Sequence, residues 1–307
     1  MNQSGTGAAS DSAWLRAMPL VFVLIWSTGF IVARYGMPWS PPMKFLATRY
    51  ALSILCFLPW ILWARVKWPQ GADQWKHLAI TGMLMHAGYL GGVWAAVKAG
   101  MGSGLSSLIV GVQPILTAVW LSAVNAPGTA GSAVSRRQWA GLVLGFAGLL
   151  LVVSRKFVNS APGDSATTVN LALAVLALLS ITAGTLYQKR FVRPCDVRSA
   201  NTVQLLAALV VTLPLALLES EPMVVNSQLA AAMAWSVVGL TLGGSSLLYL
   251  LIQRGAAASV SSLMYLVPPC TALLAWLLFG EPVTLVTIGG TVLTAVGVSL
   301  VIRPART

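Results

Sequence analysis

A few polar and aromatic side chains interrupt long apolar runs, and these are the groups that could do chemistry. Trp26 and Ser27 share one run, His86, Tyr89 and Trp94 another, and Gln113 a third. Thr182 and Tyr187, Ser245 and Tyr249, and Tyr265 fall in three more. Polar groups are costly in an apolar medium, so their presence marks candidate sites. Rings with hydroxyl and amide groups between them would line a path for a small amphipathic or aromatic solute. Ser106 and Ser261 add two small hydroxyls. The competing reading of each aromatic is that it faces lipid or fills the interior. Arg49 stands about two turns inside its own run. Its guanidinium is suited to a bidentate grip on a carboxylate or phosphate, or else reaches back to the membrane interface. His86 is read as the histidine well inside a span, with a structural role or a proton-carrying one.

The chemistry that is missing narrows the field. No H-x-x-x-H, D-D-x-x-D, G-x-S-x-G or Walker run is present, so neither an enzyme nor a cofactor is expected. Three cysteines, Cys56, Cys195 and Cys270, form neither a disulfide framework nor a metal set, and no metal site is expected. Asp and Glu fall in tails and loops or, as with Glu219, Glu221 and Glu281, at the ends of apolar runs. A proton antiporter usually needs an ionisable group in its path. Facilitated or exchange transport, or coupling through His86 or the solute's own charge, is therefore the expectation.

The elements that must position these residues are membrane spans. Hydrophobic residues make up 57% of the 307 and charged ones 8%, the balance of a chain whose solvent is lipid. Ten apolar runs long enough to cross a bilayer are read at about 17–35, 43–63, 75–97, 102–124, 138–154, 169–188, 200–218, 228–251, 256–279 and 283–302. Residues 1–16 read as a disordered N-terminal tail and 155–168 as a linker between two five-helix halves, 17–154 and 169–303. The net charge of +12 suggests nucleic acid, but the basic residues lie in short loops and form no stripe, so no nucleic-acid partner is expected. With a cytoplasmic N-terminus, thirteen of them fall in inside loops and tails, among them Arg65, Lys67, Arg136, Arg137 and Arg190. Five, Arg34, Lys44, Lys98, Arg155 and Lys156, fall outside. The positive-inside rule then places both termini in the cytoplasm.

The two halves also resemble each other. Gly100–Pro114 (GMGSGLSSLIVGVQP) is echoed about 155 residues later by Gly255–Pro269 (GAAASVSSLMYLVPP). The same offset pairs Gly29 with Gly184, Arg49 with Gln204, Gly88 with Gly243 and Trp94 with Tyr249. Beyond the fourth and ninth runs it falls to about 149, where Gly141 and Gly148 meet Gly290 and Gly297. Five spans per half make the second half inverted with respect to the first, the arrangement of many secondary carriers. Pro114 and Pro269 sit inside matched runs, where each removes a helix hydrogen bond and makes a bend or a hinge.

Trp26-Ser27-Thr28-Gly29-Phe30, the entry Pro42-x-x-Phe45-x-x-x-Arg49, and Phe279-Gly280-Glu281-Pro282 resemble motifs of the drug/metabolite transporter superfamily, in particular its proteins with two EamA domains. The first half departs from the pattern at Asn125-Ala126, where a Gly-Glu would be expected. The resemblance implies an all-α, ten-helix inner-membrane permease with a central cavity lined mainly by spans 1, 3, 4, 6, 8 and 9. By the same resemblance it would export amino acids or related metabolites by alternating access. Amphipathic drug efflux, or a non-transport accessory role in the membrane, are the alternatives. The expected partners are a small-molecule solute and the bilayer, with the protein a monomer or weak homodimer.

Overall fold

A computed structural model describes residues 6–124, 136–158, 165–247 and 266–302, and every regular element among them is helical. The helices are α1 (Thr6–Gly36), α2 (Pro42–Trp63), α3 (Ala72–Lys98), α4 (Ser103–Val110), α5 (Gln113–Val124), α6 (Arg136–Val158), α7 (Thr168–Phe191), α8 (Val197–Leu218), α9 (Ser227–Leu247), α10 (Val267–Phe279) and α11 (Leu285–Ile302). Among the described residues α2, α3, α6, α7, α8 and α9 are long and apolar enough to cross a membrane. Shorter apolar helices lie in the other four expected spans, at Val21–Gly36, Ser103–Thr117, Val267–Phe279 and Leu285–Leu300, and residues 256–265 of the ninth lie outside the described residues. α1 starts at Thr6, upstream of the span read from 17, and α6 continues to Val158, past the limit read at 154.

Local sequence explains where the helices begin and end. Pro42 occupies the first turn of α2, where a missing amide proton costs nothing. Thr167 and Asn170 close a reciprocal capping box on α7, while Asp196 and Asn226 cap α8 and α9 with their side chains. Gly280 ends α10 in the left-handed region (φ 64°), which a side chain would disfavour. The span expected at 102–124 is two helices. α4 stops at Val110, the residue four before Pro114 whose carbonyl the proline ring would strike, and the chain turns through Gly111 and Val112 before α5. Pro269 lies in the first turn of α10. A further matched pair, Pro59 and Pro214, sits inside α2 and α8.

The outer surface is apolar. Leu62, Trp63, Leu217 and Leu285 are each more than 70% exposed, as lipid-facing side chains are. The interior is built on Phe22, Phe30, Phe45, Tyr50, Phe57, Tyr89 and Trp94, with α8 and α9 supplying Leu205, Val237 and Leu240.

The repeat is written into the contacts. α2 packs on its mate α8, and α6 on its mate α11. Gly29 of α1 approaches Leu240 of α9, and their mates Gly184 of α7 and Met85 of α3 also meet. Gly148 faces Gly290, and the matching Gly297 faces Gly141. Contacts that pair i with j and the mate of i with the mate of j are those of two bodies related by a two-fold axis. The small residues at the α6–α11 seam let the backbones close on each other, and Thr294 Oγ1 donates across it to the Gly145 carbonyl at 3.3 Å.

Candidate functional site

Two stretches of π-helix lie at matched places in the repeat, Met83–Gly88 within α3 and Trp235–Gly244 within α9. Such stretches loosen the regular ladder and free backbone groups, and they recur at functional sites. Arg49 of α2 sits between them. It is 6% exposed, so it does not reach back to the interface; its Nε and Nη2 both donate to Thr241 Oγ1 at 3.2 Å. Thr241 in turn donates to the Ser236 carbonyl at 3.0 Å, five residues back along the π turn. On the other side Tyr50 Oη donates to the His86 carbonyl at 2.9 Å, with the two rings edge-on. Gln204, the mate of Arg49, is also buried, and His86 is the mate of Thr241 at the same offset. The Arg49–Thr241 pair therefore has a polar counterpart, Gln204 and His86, at the matched positions of the repeat.

Tyr89 is buried in the same core cluster as Tyr50. Trp26, half-buried, packs against Phe22, while Trp94 is 1% exposed and stacks on Phe45 at 4.3 Å between ring centres. The hydroxyls of Ser27 and Thr182 are turned back onto their own helices, to the carbonyls of Val23 and Leu178. Gln113 crosses between halves to Thr185 at 3.3 Å, Ser106 is fully buried with no hydrogen-bond partner, and Ser245 is half-buried just past the second π stretch. Tyr187 lies at the far end of α3, where its hydroxyl meets His77 Nδ1 at 2.8 Å. Tyr249, Ser261 and Tyr265 lie outside the described residues.

Two residues not among the expected site residues, Glu281 and His77, hold the two ends together. Glu281 follows α10 yet is 6% exposed. Its carboxylate accepts from the backbone amides of Ser103 and Gly104 at 2.8 and 3.2 Å, capping the positive end of α4, and from Arg34 Nη1 at 2.9 Å. A crevice of about 20 Å³ beside it, walled by Gly104, Ala272, Pro282 and Thr287, has room for one water. At the same end Glu219 accepts from the amides of Met43 and Lys44, and Lys98 pairs with Glu221 at 2.6 Å. At the opposite end of α3, His77 is stacked on Phe191 in a polar recess of about 300 Å³ lined also by Asp73, Gln74, Arg190 and Arg193. Gln74 there donates to the Arg193 carbonyl at 2.8 Å and accepts from its amide. Every one of these links joins residues of one half to residues of the other.

The chain matches known proteins over nearly its whole length. The model of the EamA-like transporter family matches it twice, at residues 15–154 and 169–303. A protein of Salmonella typhimurium titled a probable amino-acid metabolite efflux pump is 24% identical over 91% of this chain and 92% of its own. An uncharacterized transporter of Archaeoglobus fulgidus is 21% identical over 91% and 93%, and the uncharacterized inner membrane transporter YedA of Escherichia coli 23% identical over 84% and 80%. A solved crystal structure shares the fold, with a TM-score of 0.64 at 18% identity over 94% of this chain and 96% of that one.

Proposed function

The chain belongs to the EamA-like transporter family, and we propose that it is a secondary transporter of the inner membrane that exports a small organic solute of the amino-acid metabolite class by alternating access. The observation that carries this reading is the copied contact across the repeat: Gly29 with Leu240, and their mates Gly184 with Met85, on either side of one seam. Two halves that present matched surfaces to each other can rock about that seam and expose it to each face in turn. The Salmonella relative's title supports the solute class.

The polar links at the ends fit such a cycle. α3 is about 40 Å long at 1.5 Å per residue, and it carries Lys98 at one end and His77 at the other. Arg34–Glu281 and Lys98–Glu221 close one face between the halves, while His77–Tyr187 and Gln74–Arg193 close the other. In each working state one set parts while the other holds. In this reading the ten expected spans form two inverted five-helix repeats, with both termini cytoplasmic.

Reconstitution tests the reading. Purified protein in liposomes loaded with unlabelled amino acids and related metabolites should give saturable counterflow of at least one labelled solute. No flux above empty vesicles for any solute, or a single-channel conductance in planar bilayers, would sink it.

A further inference from the structure

Arg49 is a buried cation, and among the described residues no acidic side chain is paired with it. We propose that it anchors a carboxylate on the transported solute, an inference that rests on the transporter reading and names its solute class.

The charge inventory is complete in the sequence. Seven Asp and Glu residues exist. Glu281 is held by Arg34 and the α4 amides, Glu221 by Lys98, Glu219 by the first turn of α2, and Asp196 by Arg198. Asp73 lies at the other end of α3, and Asp11 and Asp164 belong to the N-terminal segment and the linker. The segment 248–265, whose structure is not described, contains no acidic residue either. A guanidinium in a low-dielectric interior is costly unless an anion compensates it, and one threonine hydroxyl, accepting at 3.2 Å, carries no charge.

Geometry points the same way. Among the described residues Nη1 of Arg49 makes no hydrogen bond, so part of the planar fork remains open. One turn further along the same face of α2, Ser53 Oγ is fully buried without a partner, and so is Ser236 Oγ in the π turn that holds Thr241. A carboxylate would take the free N–H groups and leave its second face for a hydroxyl. One positive charge matches a monoanion, whereas a phosphate dianion would leave a net negative charge buried. The break in the repeat is explained as well: Gln204 is the neutral mate of Arg49, so a single anchor serves one solute in a seam that is otherwise symmetric.

The test compares carboxylates with their own amides: acetate, phenylacetate, L-leucine and L-phenylalanine, each against its carboxamide, together with inorganic phosphate. Binding is read as the rise in melting temperature of detergent-purified protein, and flux is read separately in liposomes. The expected result is protection by at least one carboxylate and not by its amide. Arg49→Gln should weaken that apparent affinity about tenfold to a hundredfold, as expected for loss of a charge-assisted bidentate contact, and Arg49→Lys should lie between. The idea is overturned if no carboxylate protects better than its amide, if phosphate protects best, or if Arg49→Gln binds carboxylates like wild type. Should Arg49→Gln not melt cooperatively, the wild-type comparison alone decides. Carboxylate protection without flux would count against transport and leave the anion site standing.

Discussion

Arg34 and Glu281 stand 247 positions apart in the chain and meet at 2.9 Å, joining the end of α1 to the loop after α10. The same carboxylate caps α4, so one side chain ties three helices of both halves together. Glu281→Ala leaves two backbone amides and a guanidinium without their acceptor, and should cost about 2–4 kcal/mol. Glu281→Gln keeps an acceptor for one amide and should cost about half as much. Thermal unfolding in detergent orders the three proteins; equal midpoints for wild type and Glu281→Ala would show the link to be energetically idle.

Neighbouring glycines in α11 should behave in opposite ways. A Cβ on Gly290 would strike Val152 and the Gly148 carbonyl, whereas a Cβ on Gly289 meets nothing within 4 Å. Gly290→Ala should therefore force α6 and α11 apart and destabilise by about 1–3 kcal/mol. Gly289→Ala should be neutral or stabilise by up to about 1 kcal/mol, because alanine suits a helix better than glycine. The pair of melting curves checks this, and a similar loss in both would contradict the seam.

The large features were legible in the sequence because they follow from local rules. Apolar runs marked the helices, the offset marked the repeat, and Pro114, where a bend or hinge was expected, is preceded by a break after Val110. What escaped depends on contacts between distant residues. Glu281 reads as a loop acid, since its burial arises only when the chain after α10 folds over the α4 N-terminus, 178 positions away from Ser103. His77 sits near a helix start in a basic stretch, and its role appears only with Tyr187, 110 positions away. The π stretches leave no pattern in the sequence, as they change the backbone ladder and not the apolar period. Arg49 was recognised, but that its guanidinium stays in the interior and does not snorkel is known only from its bond to Thr241 and its 6% exposure.

The start of α8 should make stability depend on pH. Asp196 accepts from the Arg198 amide at 2.9 Å and from its guanidinium at 3.0 and 2.8 Å. Hydrogen bonds from Arg198 hold the Asp196 carboxyl below its ordinary value. A carboxylate whose value is lowered by folding adds stability above its unfolded pKa of about 4, and that stability is lost as pH falls through the lower folded value. Asp196→Asn should remove this part of the acid dependence while leaving the rest. Unfolding midpoints from pH 7 down to pH 3 check it, and parallel curves for the two proteins would show that the cap carries no charge effect.

Sidedness follows from where the basic residues and the polar links fall. Gln70 lies in the exposed turn between α2 and α3, next to Arg65 and Lys67, and Pro222 lies exposed beyond α8, next to Glu219 and Glu221. Lipid bilayers retain basic loops on the cytoplasmic side, so the two turns should face opposite compartments. On a background with Cys56, Cys195 and Cys270 replaced by serine, Pro222→Cys should react with a membrane-impermeant maleimide in intact cells. Gln70→Cys should react only after the membrane is opened. The outcome also tests the inverted repeat, because Gln70 and Val225 are mates at the 155-residue offset, and an inverted second half must put mates on opposite faces. Labelling of both turns from the same side would leave the matched contacts of Gly29 with Leu240 and Gly184 with Met85 without an inverted arrangement to account for them.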